Sequence, residues 1–257
     1  MSIQNLSELI EKERASDLNQ SFSYHSWVAP KHKFICMTVP KIACSTVKVA
    51  LHQLNGHPEP ADLGDIHLEG RRLAEFDTAA IAEMLTAPEW TKFCFVRNPY
   101  DRLLSAYKSK IGLLSDEYDW LQDEIRQAFA YPLRDGRPAG IVCFRDFVAY
   151  LRNAEDRASR DGHYNVQTNI LMPHIINYDF VGRFENLVGD LSAILRQLGA
   201  DDQTMTAASQ VRNPTTKMHH AWAYDRSLAD MVHQMYRLDF EHFGYDRDSW
   251  LFDCQPT

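Results

Sequence analysis

Three short apolar segments separated by helix-like segments constrain the fold of this chain more than any other feature. The first, residues 34–39, ends at Pro40, and because a residue before proline favours extended backbone we predict a strand there. Residues 92–96 and 179–181 are the second and third candidate strands. Short buried strands that alternate with helices are typical of a parallel sheet covered on both faces. We therefore predict a three-layer α/β fold with a central parallel sheet.

The helix-like segments carry recognisable start and stop signals. Asn98 is a good N-cap, and Pro99 suits the first position of a helix that follows the second strand. Residues 186–198 place leucine and isoleucine at helical spacing, and Gly199 fits the C-terminal cap. The other predicted helices cover residues 1–20, about 44–55, 78–86, 117–130, 144–151 and about 225–241. Residues 56–77 and 131–140 are predicted to be loops.

Length and composition fit one globular domain. The chain has 257 residues, of which 45% are hydrophobic and 24% charged, and these values are ordinary for an α/β domain. We expect a single domain over residues 1–257, with an N-terminal helical arm over 1–25 and a core over 34–246. The net charge of −8 argues against a nucleic-acid or anionic-membrane binder, so any bound anion must meet a local basic site.

Targeting and metal signals are absent from the sequence pattern. No segment approaches the roughly 20 apolar residues of a membrane span, and the N-terminus lacks the plan of a signal peptide. The five cysteines are scattered and form no CxxC pair, and the adjacent His219 and His220 point in different directions. We therefore expect no membrane span, no metal site and a cytoplasmic protein with reduced thiols. A homodimer is the default expectation because symmetric dimers are the commonest oligomers.

The first predicted strand leads into a lysine-containing loop that opens a helix, with the sequence TVPKIACST at 38–46. Backbone N–H groups at such a junction point at an anion, and the helix dipole adds partial positive charge. Lys41 adds a full charge, and the hydroxyls of Ser45 and Thr46 can donate hydrogen bonds. The Walker pattern GxxxxGK[ST] is absent. The segment is thus a candidate anion loop, with an ordinary N-capped helix as the alternative.

The second predicted strand ends at an arginine that precedes another helix, with the sequence FVRNPYDRLLSAYKSK at 95–110. The guanidinium of Arg97 offers a planar fork of donors that suits a terminal phosphate. Ser105 follows two turns into the helix. Taken alone, Arg97 could instead pair with Asp101, and Ser105 could bond to its own helix backbone.

Together, the two strand ends resemble the two-ended phosphate grip of sulfotransferases that use 3′-phosphoadenosine 5′-phosphosulfate (PAPS). The amino-acid sequences of these segments are similar to those of the Golgi carbohydrate sulfotransferases of the chondroitin, dermatan and HNK type, and of their bacterial relatives. The matching phrases are VPKIACSTVK at 39–48, FVRNPYDRLLSAYKSK at 95–110, HYNVQT at 163–168, DFVGRFENL at 179–187 and YRLDFEHFGYD at 236–246. The resemblance implies a P-loop-like fold, with PAPS as the sulfuryl donor and 3′,5′-ADP as its product.

The resemblance also implies a role for individual residues. Lys41 matches the lysine of the 5′-phosphosulfate loop, and Ser45 matches its hydroxyl position. Arg97 and Ser105 match the pair that binds the 3′-phosphate. Phe184 falls where sulfotransferases place an aromatic ring near adenine, with a plain core residue as the alternative. The backbone N–H groups that would surround the 5′-phosphate and sulfate belong to Ile42, Ala43, Cys44, Ser45 and Thr46.

Sulfuryl transfer resembles phosphoryl transfer, in which catalysis is mostly positioning and charge stabilisation. Lys41 would stabilise the negative charge that develops on the leaving oxygen, so no metal is required. A general base should take the proton of the acceptor hydroxyl, and histidine suits neutral pH. His67 in GDIHLEG and His163 in DGHYNVQT are the candidates, with Asp65 and Glu69 as alternatives.

A late loop, VRNPTTK at 211–217, carries two more cations. Arg212 and Lys217 could reach the phosphates of the donor, with a solvated loop as the alternative. Val47 stands where cytosolic small-molecule sulfotransferases often have tryptophan, and this favours the carbohydrate branch. Because the chain lacks an anchor and a disulfide framework, we expect a bacterial cytoplasmic enzyme.

The expected activity is sulfuryl transfer from PAPS to a hydroxyl of a sugar or glycoconjugate. The net charge of −8 disfavours a strongly anionic acceptor. The alternatives are the same chemistry on a lipid or small metabolite, and a non-catalytic nucleotide-binding protein of the same fold. A kinase or NTP hydrolase is disfavoured because the Walker glycines and an acidic Mg²⁺ motif are missing.

Overall fold

The structure is a computed structural model, and it describes residues 3–17, 20–58, 60, 62–112, 118–134, 136–153, 161–209 and 220–251. The chain divides into two compact units. The first comprises Met1–Arg97 and Gln167–Pro214, and the second comprises Asn98–Val166 and Thr215–Cys254. The anion loop, Arg97 and Phe184 belong to the first unit, and Ser105 and His163 belong to the second.

The strands are β1 (Ser26–Ala29), β2 (Phe34–Met37), β3 (Thr91–Val96), β4 (Leu133–Arg134), β5 (Arg137–Pro138) and β6 (Phe180–Arg183). A mixed sheet of order β1-β2-β3-β6 forms the centre of the first unit. Strands β2, β3 and β6 are parallel, which confirms the three predicted strands. The predicted α/β fold with a central parallel sheet is thereby confirmed, and β1, which was not predicted, pairs antiparallel with β2 at the edge. Strand β1 spans only four residues, all buried, so it has no alternating pattern to reveal it.

The central strands are buried along nearly their whole length. Every residue of β2 is buried, as is every residue of β3 after Thr91, so an uninterrupted apolar run replaces the alternating pattern of a half-exposed strand. Gly182 is required where β6 passes β3, because a Cβ there would lie 2.3 Å from the ring of Phe95. The close approach brings the ends of the two strands together, with Val96 opposite Arg183 in the register.

The helices are α1 (Ile3–Ser16), α2 (Cys44–Leu54), α3 (Thr78–Thr86), α4 (Pro99–Tyr107), α5 (Asp119–Ala128), α6 (Phe144–Asn153), α7 (Gln167–Leu171), α8 (Leu187–Gln197), α9 (Asp202–Ala208), α10 (His220–Ala223), α11 (Arg226–Met235) and α12 (Arg237–Phe243). The predicted cap at Asn98 is confirmed, because its side chain accepts a hydrogen bond from the N–H of Tyr100 at 3.0 Å. Gly199 follows α8 with a φ of 80°, as expected of a C-terminal cap. None of the described helices combines the length and apolar character that crossing a membrane requires.

One predicted helix is broken in two. The segment 225–241 was predicted to be continuous, but α11 ends at Met235 and α12 begins at Arg237. Tyr236, between them, has φ −109° and ψ 22°, outside the helical range, and it is buried. Its hydroxyl donates to the carbonyl of Tyr164, so a long-range contact fixes the residue that interrupts the helix.

Candidate anion-binding site

The loop between β2 and α2 has an unusual backbone. Lys41 and Ala43 adopt left-handed conformations, with φ of 72° and 61°. Such conformations are strained for residues other than glycine and cluster at functional sites. Left-handed residues that alternate with right-handed ones turn successive N–H groups toward one side, which forms a concavity for an anion. The backbone of the loop is therefore compatible with an anion site, which stays a prediction.

The start of α2 has no side-chain cap. Its N-cap is Ala43, whose methyl group accepts no hydrogen bond. The positive end of the helix dipole and the N–H groups of the first turn therefore suit a bound anion. Ser45 and Thr46 lie buried in this first turn, whereas Lys41 and Cys44 are partly exposed. The ordinary N-capped helix, the alternative considered from the sequence, does not describe this junction.

His67 lies directly behind the loop, in a short 3₁₀ turn formed by Asp65–His67. Its Nε2 is 3.1 Å from Oγ of Ser45, and its Nδ1 is 3.5 Å from Nζ of Lys48. The structure thus brings His67 to the lysine loop. Asp65 and Glu69, the alternative bases, are exposed on either side of it.

Lys48 was quoted within the motif but was given no role from the sequence. Its side chain is only 1% exposed, and its Nζ lies 4.9 Å from the ring centroid of Tyr24. Burial lowers the pKa of Lys48 to about 8, and the positive charge of Arg72 acts in the same direction. The sequence does contain a signal for a buried lysine. Lys48 lies within the apolar segment TVKVAL, and no carboxylate stands three or four positions away from it to form an ion pair on the helix.

Arg97 connects the ends of β2 and β3. Its backbone N–H donates to the side-chain oxygen of Gln167 at 3.0 Å, and the Gln167 amide donates back to the Arg97 carbonyl at 2.9 Å. This pair of hydrogen bonds fixes the backbone of Arg97. Nη1 of its guanidinium donates to the carbonyl of Lys41 at 2.8 Å. Gln167 was not predicted, because an amide 70 residues away has no local signal.

Phe184 packs against the same guanidinium. The carbon at the centre of the Arg97 guanidinium lies 3.8 Å from the ring centroid of Phe184, a stacking distance at which cation–π attraction is favourable. The ring is half-buried, so a plain core residue does not describe it. Lys41, Arg97 and Phe184 therefore form one continuous group in the first unit.

Ser105 and His163 lie in the second unit. Ser105 is buried on α4. His163 is partly exposed, and its Nδ1 lies 2.7 Å from a carboxylate oxygen of Asp161, which also accepts the backbone N–H of His163 at 2.8 Å. Burial raises the pKa of Asp161, but hydrogen bonds and charge from His163 outweigh it and the net pKa is lowered. A carboxylate at Nδ1 fixes the orientation of the imidazole.

The loop that carries His163 is held by a buried arginine. Arg102 is 1% exposed, and its guanidinium donates to the carbonyls of Gly162 and Asn165, both at 2.6 Å. These bonds fix the backbone on both sides of His163. The role of Arg102 was not predicted, because its partners lie about 60 residues away along the chain.

Other predicted residues fall outside the described structure. Arg212, Lys217 and His219 lie in the part of the chain that is not described. Across the described ranges, no group of three or more His, Cys, Asp or Glu side chains is arranged to hold a metal ion.

A comparison with protein families identifies the chain. The sequence model of the Sulfotransferase family matches residues 24–246, which is most of its length. The chain belongs to the sulfotransferase family. The resemblance inferred from the two strand-end motifs is thereby confirmed.

Curated relatives place this sulfotransferase family member near carbohydrate sulfotransferases. It is 29% identical over 229 residues to carbohydrate sulfotransferase 14 of Homo sapiens, covering 86% of this chain and 60% of the relative. It is 28% identical over 258 residues to human carbohydrate sulfotransferase 9, covering 93% and 58%. The Danio rerio carbohydrate sulfotransferase 14 is 32% identical over 235 residues, covering 86% and 62%. The chain thus spans about 60% of the length of these relatives. No solved structure gives a significant match.

Proposed function

We propose that this chain transfers a sulfuryl group from PAPS to an acceptor hydroxyl. The observation that carries the proposal is the uncapped, left-handed loop of Lys41 and Ala43, whose carbonyl at Lys41 accepts a hydrogen bond from Arg97. A loop of N–H donors with one lysine suits a dianionic group, and an arginine fork suits a second phosphate. The residues present therefore fit a donor with anionic groups at both ends.

Each side chain then has a separate task. The loop N–H groups and Ser45 would hold the 5′-phosphosulfate, and Lys41 would stabilise negative charge on the leaving oxygen. Arg97 and Ser105 are proposed to bind the 3′-phosphate, as the family motif implies. Phe184 would present its ring to adenine while keeping Arg97 in place. PAPS supplies the activated sulfuryl group, and the chain supplies position and charge.

The local surroundings of the two candidate histidines favour different roles. Nδ1 of His163 faces the carboxylate of Asp161, which orients the ring as the second carboxylate-bearing member of an acid–base pair does. Nδ1 of His67 instead faces the amino group of Lys48, and its Nε2 faces the hydroxyl of Ser45 in the loop. We therefore propose His163 as the general base and His67 as a residue that supports the anion loop.

The proposed acceptor is a hydroxyl of a sugar or glycoconjugate without strong negative charge. The relatives are carbohydrate sulfotransferases, which supports this class of acceptor. The net charge of −8 favours a neutral or weakly charged acceptor. The relatives come from animals and give no support to a bacterial origin; that origin, the cytoplasmic location and a homodimer stay predictions from the sequence.

A direct product assay tests the proposal. The purified chain is incubated with PAPS and a glycan-containing cell extract, and mass spectrometry searches for products that gain a sulfuryl group. Lys41→Ala should abolish the gain, whereas Lys31→Ala, at an exposed lysine of the same unit, should leave it unchanged. Sulfated lipid or metabolite products would replace the sugar acceptor. Tight 3′,5′-ADP binding without any product would instead indicate a non-catalytic nucleotide-binding protein.

A further inference from the structure

Three polar side chains form a hydrogen-bonded chain behind the anion loop. Oγ of Ser45 lies 3.1 Å from Nε2 of His67, and Nδ1 of His67 lies 3.5 Å from Nζ of Lys48. We propose that Lys48 sets the direction of these hydrogen bonds, so that the Ser45 hydroxyl donates to a bound anion while Lys48 is charged. The inference rests on the proposed function, because it takes the anion in the loop to be the phosphate end of the sulfuryl donor.

When Lys48 is charged, the direction of both hydrogen bonds among Ser45, His67 and Lys48 is fixed. An ammonium group donates hydrogen bonds and accepts none, so Nδ1 of His67 must be the acceptor. A neutral imidazole carries one proton, which then lies on Nε2 and is donated to Oγ of Ser45. The Ser45 hydroxyl receives this bond and points its own proton elsewhere. At the first turn of α2, that proton is available to an anion in the loop.

The neutral state of Lys48 releases this constraint. An amine can accept a hydrogen bond, so the His67 proton can move to Nδ1 and point at Lys48. Nε2 then accepts, and the Ser45 hydroxyl donates to His67 instead of to the anion. Loss of one hydrogen bond to a charged ligand group, together with loss of the lysine charge, weakens binding roughly tenfold or more.

The surroundings of Lys48 make this change of charge accessible. The groups that face it are the ring of Tyr24, the thiols of Cys36 and Cys44, the guanidinium of Arg72 and the imidazole of His67. Among the described residues that face Lys48, none is a carboxylate. Burial and Arg72 lower the pKa of Lys48 to about 8, although the two thiols act in the opposite direction. A bound anion supplies the missing negative charge and therefore favours proton uptake by Lys48.

The first experiment needs no ligand. ¹⁵N NMR of the histidine rings distinguishes a proton on Nε2 from one on Nδ1. At about pH 7, His67 should carry its proton on Nε2, and above the pKa of Lys48 this preference should decline. Lys48→Arg, which stays charged, should keep the Nε2 proton throughout, whereas Lys48→Met should lose the preference at both pH values. A His67 proton on Nδ1 at pH 7, or a tautomer insensitive to Lys48→Met, would overturn the proposal.

The second experiment measures protons taken up on binding. The ligand is adenosine 3′,5′-bisphosphate, which is the 3′,5′-ADP named above. Its calorimetric titration in two buffers of different ionisation enthalpy, at about pH 8.5, reports that uptake. The wild type should take up a fraction of a proton on binding, whereas Lys48→Met and Lys48→Arg should take up none at this site. The affinity of the wild type should fall with rising pH, whereas the affinity of Lys48→Arg should not. Lys92→Arg is the matched control, because Lys92 is buried in the same unit but pairs with Asp179 at 3.1 Å.

The outcomes separate the two proposals. Equal proton uptake in the wild type and in Lys48→Met overturns the role of Lys48 while leaving donor binding intact. If adenosine 3′,5′-bisphosphate binds to none of the proteins, the proposed function fails, and the NMR experiment still decides the direction of the hydrogen bonds. Ser45→Ala provides a further check: it should keep the response of the His67 tautomer to pH and reduce the pH dependence of the affinity to the part that comes from the Lys48 charge alone.

Discussion

The guanidinium of Arg97 donates a hydrogen bond to the main-chain carbonyl of Lys41, 2.8 Å away, although 56 positions separate the two residues. The contact joins the ends of two neighbouring parallel strands, which is where α/β sheets bind ligands. Because the acceptor is a backbone carbonyl, the bond fixes the loop and leaves the lysine side chain to its own task. The same arginine is stacked on Phe184.

Arg97 should make the protein distinguish a 3′-phosphate. In thermal-shift measurements, 3′,5′-ADP should raise the melting temperature more than 5′-ADP does, because an arginine–phosphate contact adds about 1.5–3 kcal/mol. Arg97→Ala should remove most of the difference between the two ligands, leaving only the part that Ser105 contributes. The comparison is made within each variant, so any loss of intrinsic stability cancels. Equal shifts in the wild type would contradict the assignment.

Lys41→Ala should lose activity without losing the fold. Removing one donor that stabilises developing negative charge commonly slows transfer by about 100–1,000-fold. Alanine keeps the Cβ, so the strain of the left-handed backbone at position 41 is unchanged and the free energy of unfolding should move little. Urea denaturation and a transfer assay measure the two effects. Activity within a factor of two of the wild type would rule out the catalytic role of Lys41.

Lys48→Met should stabilise the protein at neutral pH. The native pKa of Lys48 is lowered from 10.5 to about 8, so between these values the unfolded state binds more protons and stability rises with pH. Below about pH 8 the full cost of burying the charge remains, and methionine removes up to about 3 kcal/mol of it. Denaturation at pH 7 and pH 10.5 should show a gain that shrinks at the higher pH. A loss of stability at pH 7 would show that the charge is compensated.

His163→Ala should reduce the rate of transfer by about 100–10,000-fold, as expected for loss of a general base. Asp161→Asn should reduce it less, because the imidazole loses the carboxylate that orients it. His242→Ala, at an exposed histidine of the same unit, is the control. A larger effect of His67→Ala than of His163→Ala would assign the base to His67 instead.

Structural features that depend only on short sequence segments were predicted correctly. Asn98 and Pro99 determine where α4 begins, and the apolar run before Pro40 determines β2, because these effects act between neighbouring residues. The lysine loop and its hydroxyl residues are also a local pattern, and their role in anion binding stays a prediction. The break at Tyr236 could not be predicted, since it depends on a partner 72 positions away in the sequence. Strand β1 could not either, because its four residues are all buried and show no alternating pattern.

The sequence by itself determined the α/β class, the positions of the parallel strands and the location of the candidate anion loop, because apolar runs, caps and loop residues act locally. Only the tertiary structure decided what surrounds the site. It seats Phe184 on Arg97 and buries Lys48 next to His67. Burial and long-range hydrogen bonds depend on how separate segments pack. That packing buries Lys48 of α2 and lowers its pKa to about 8.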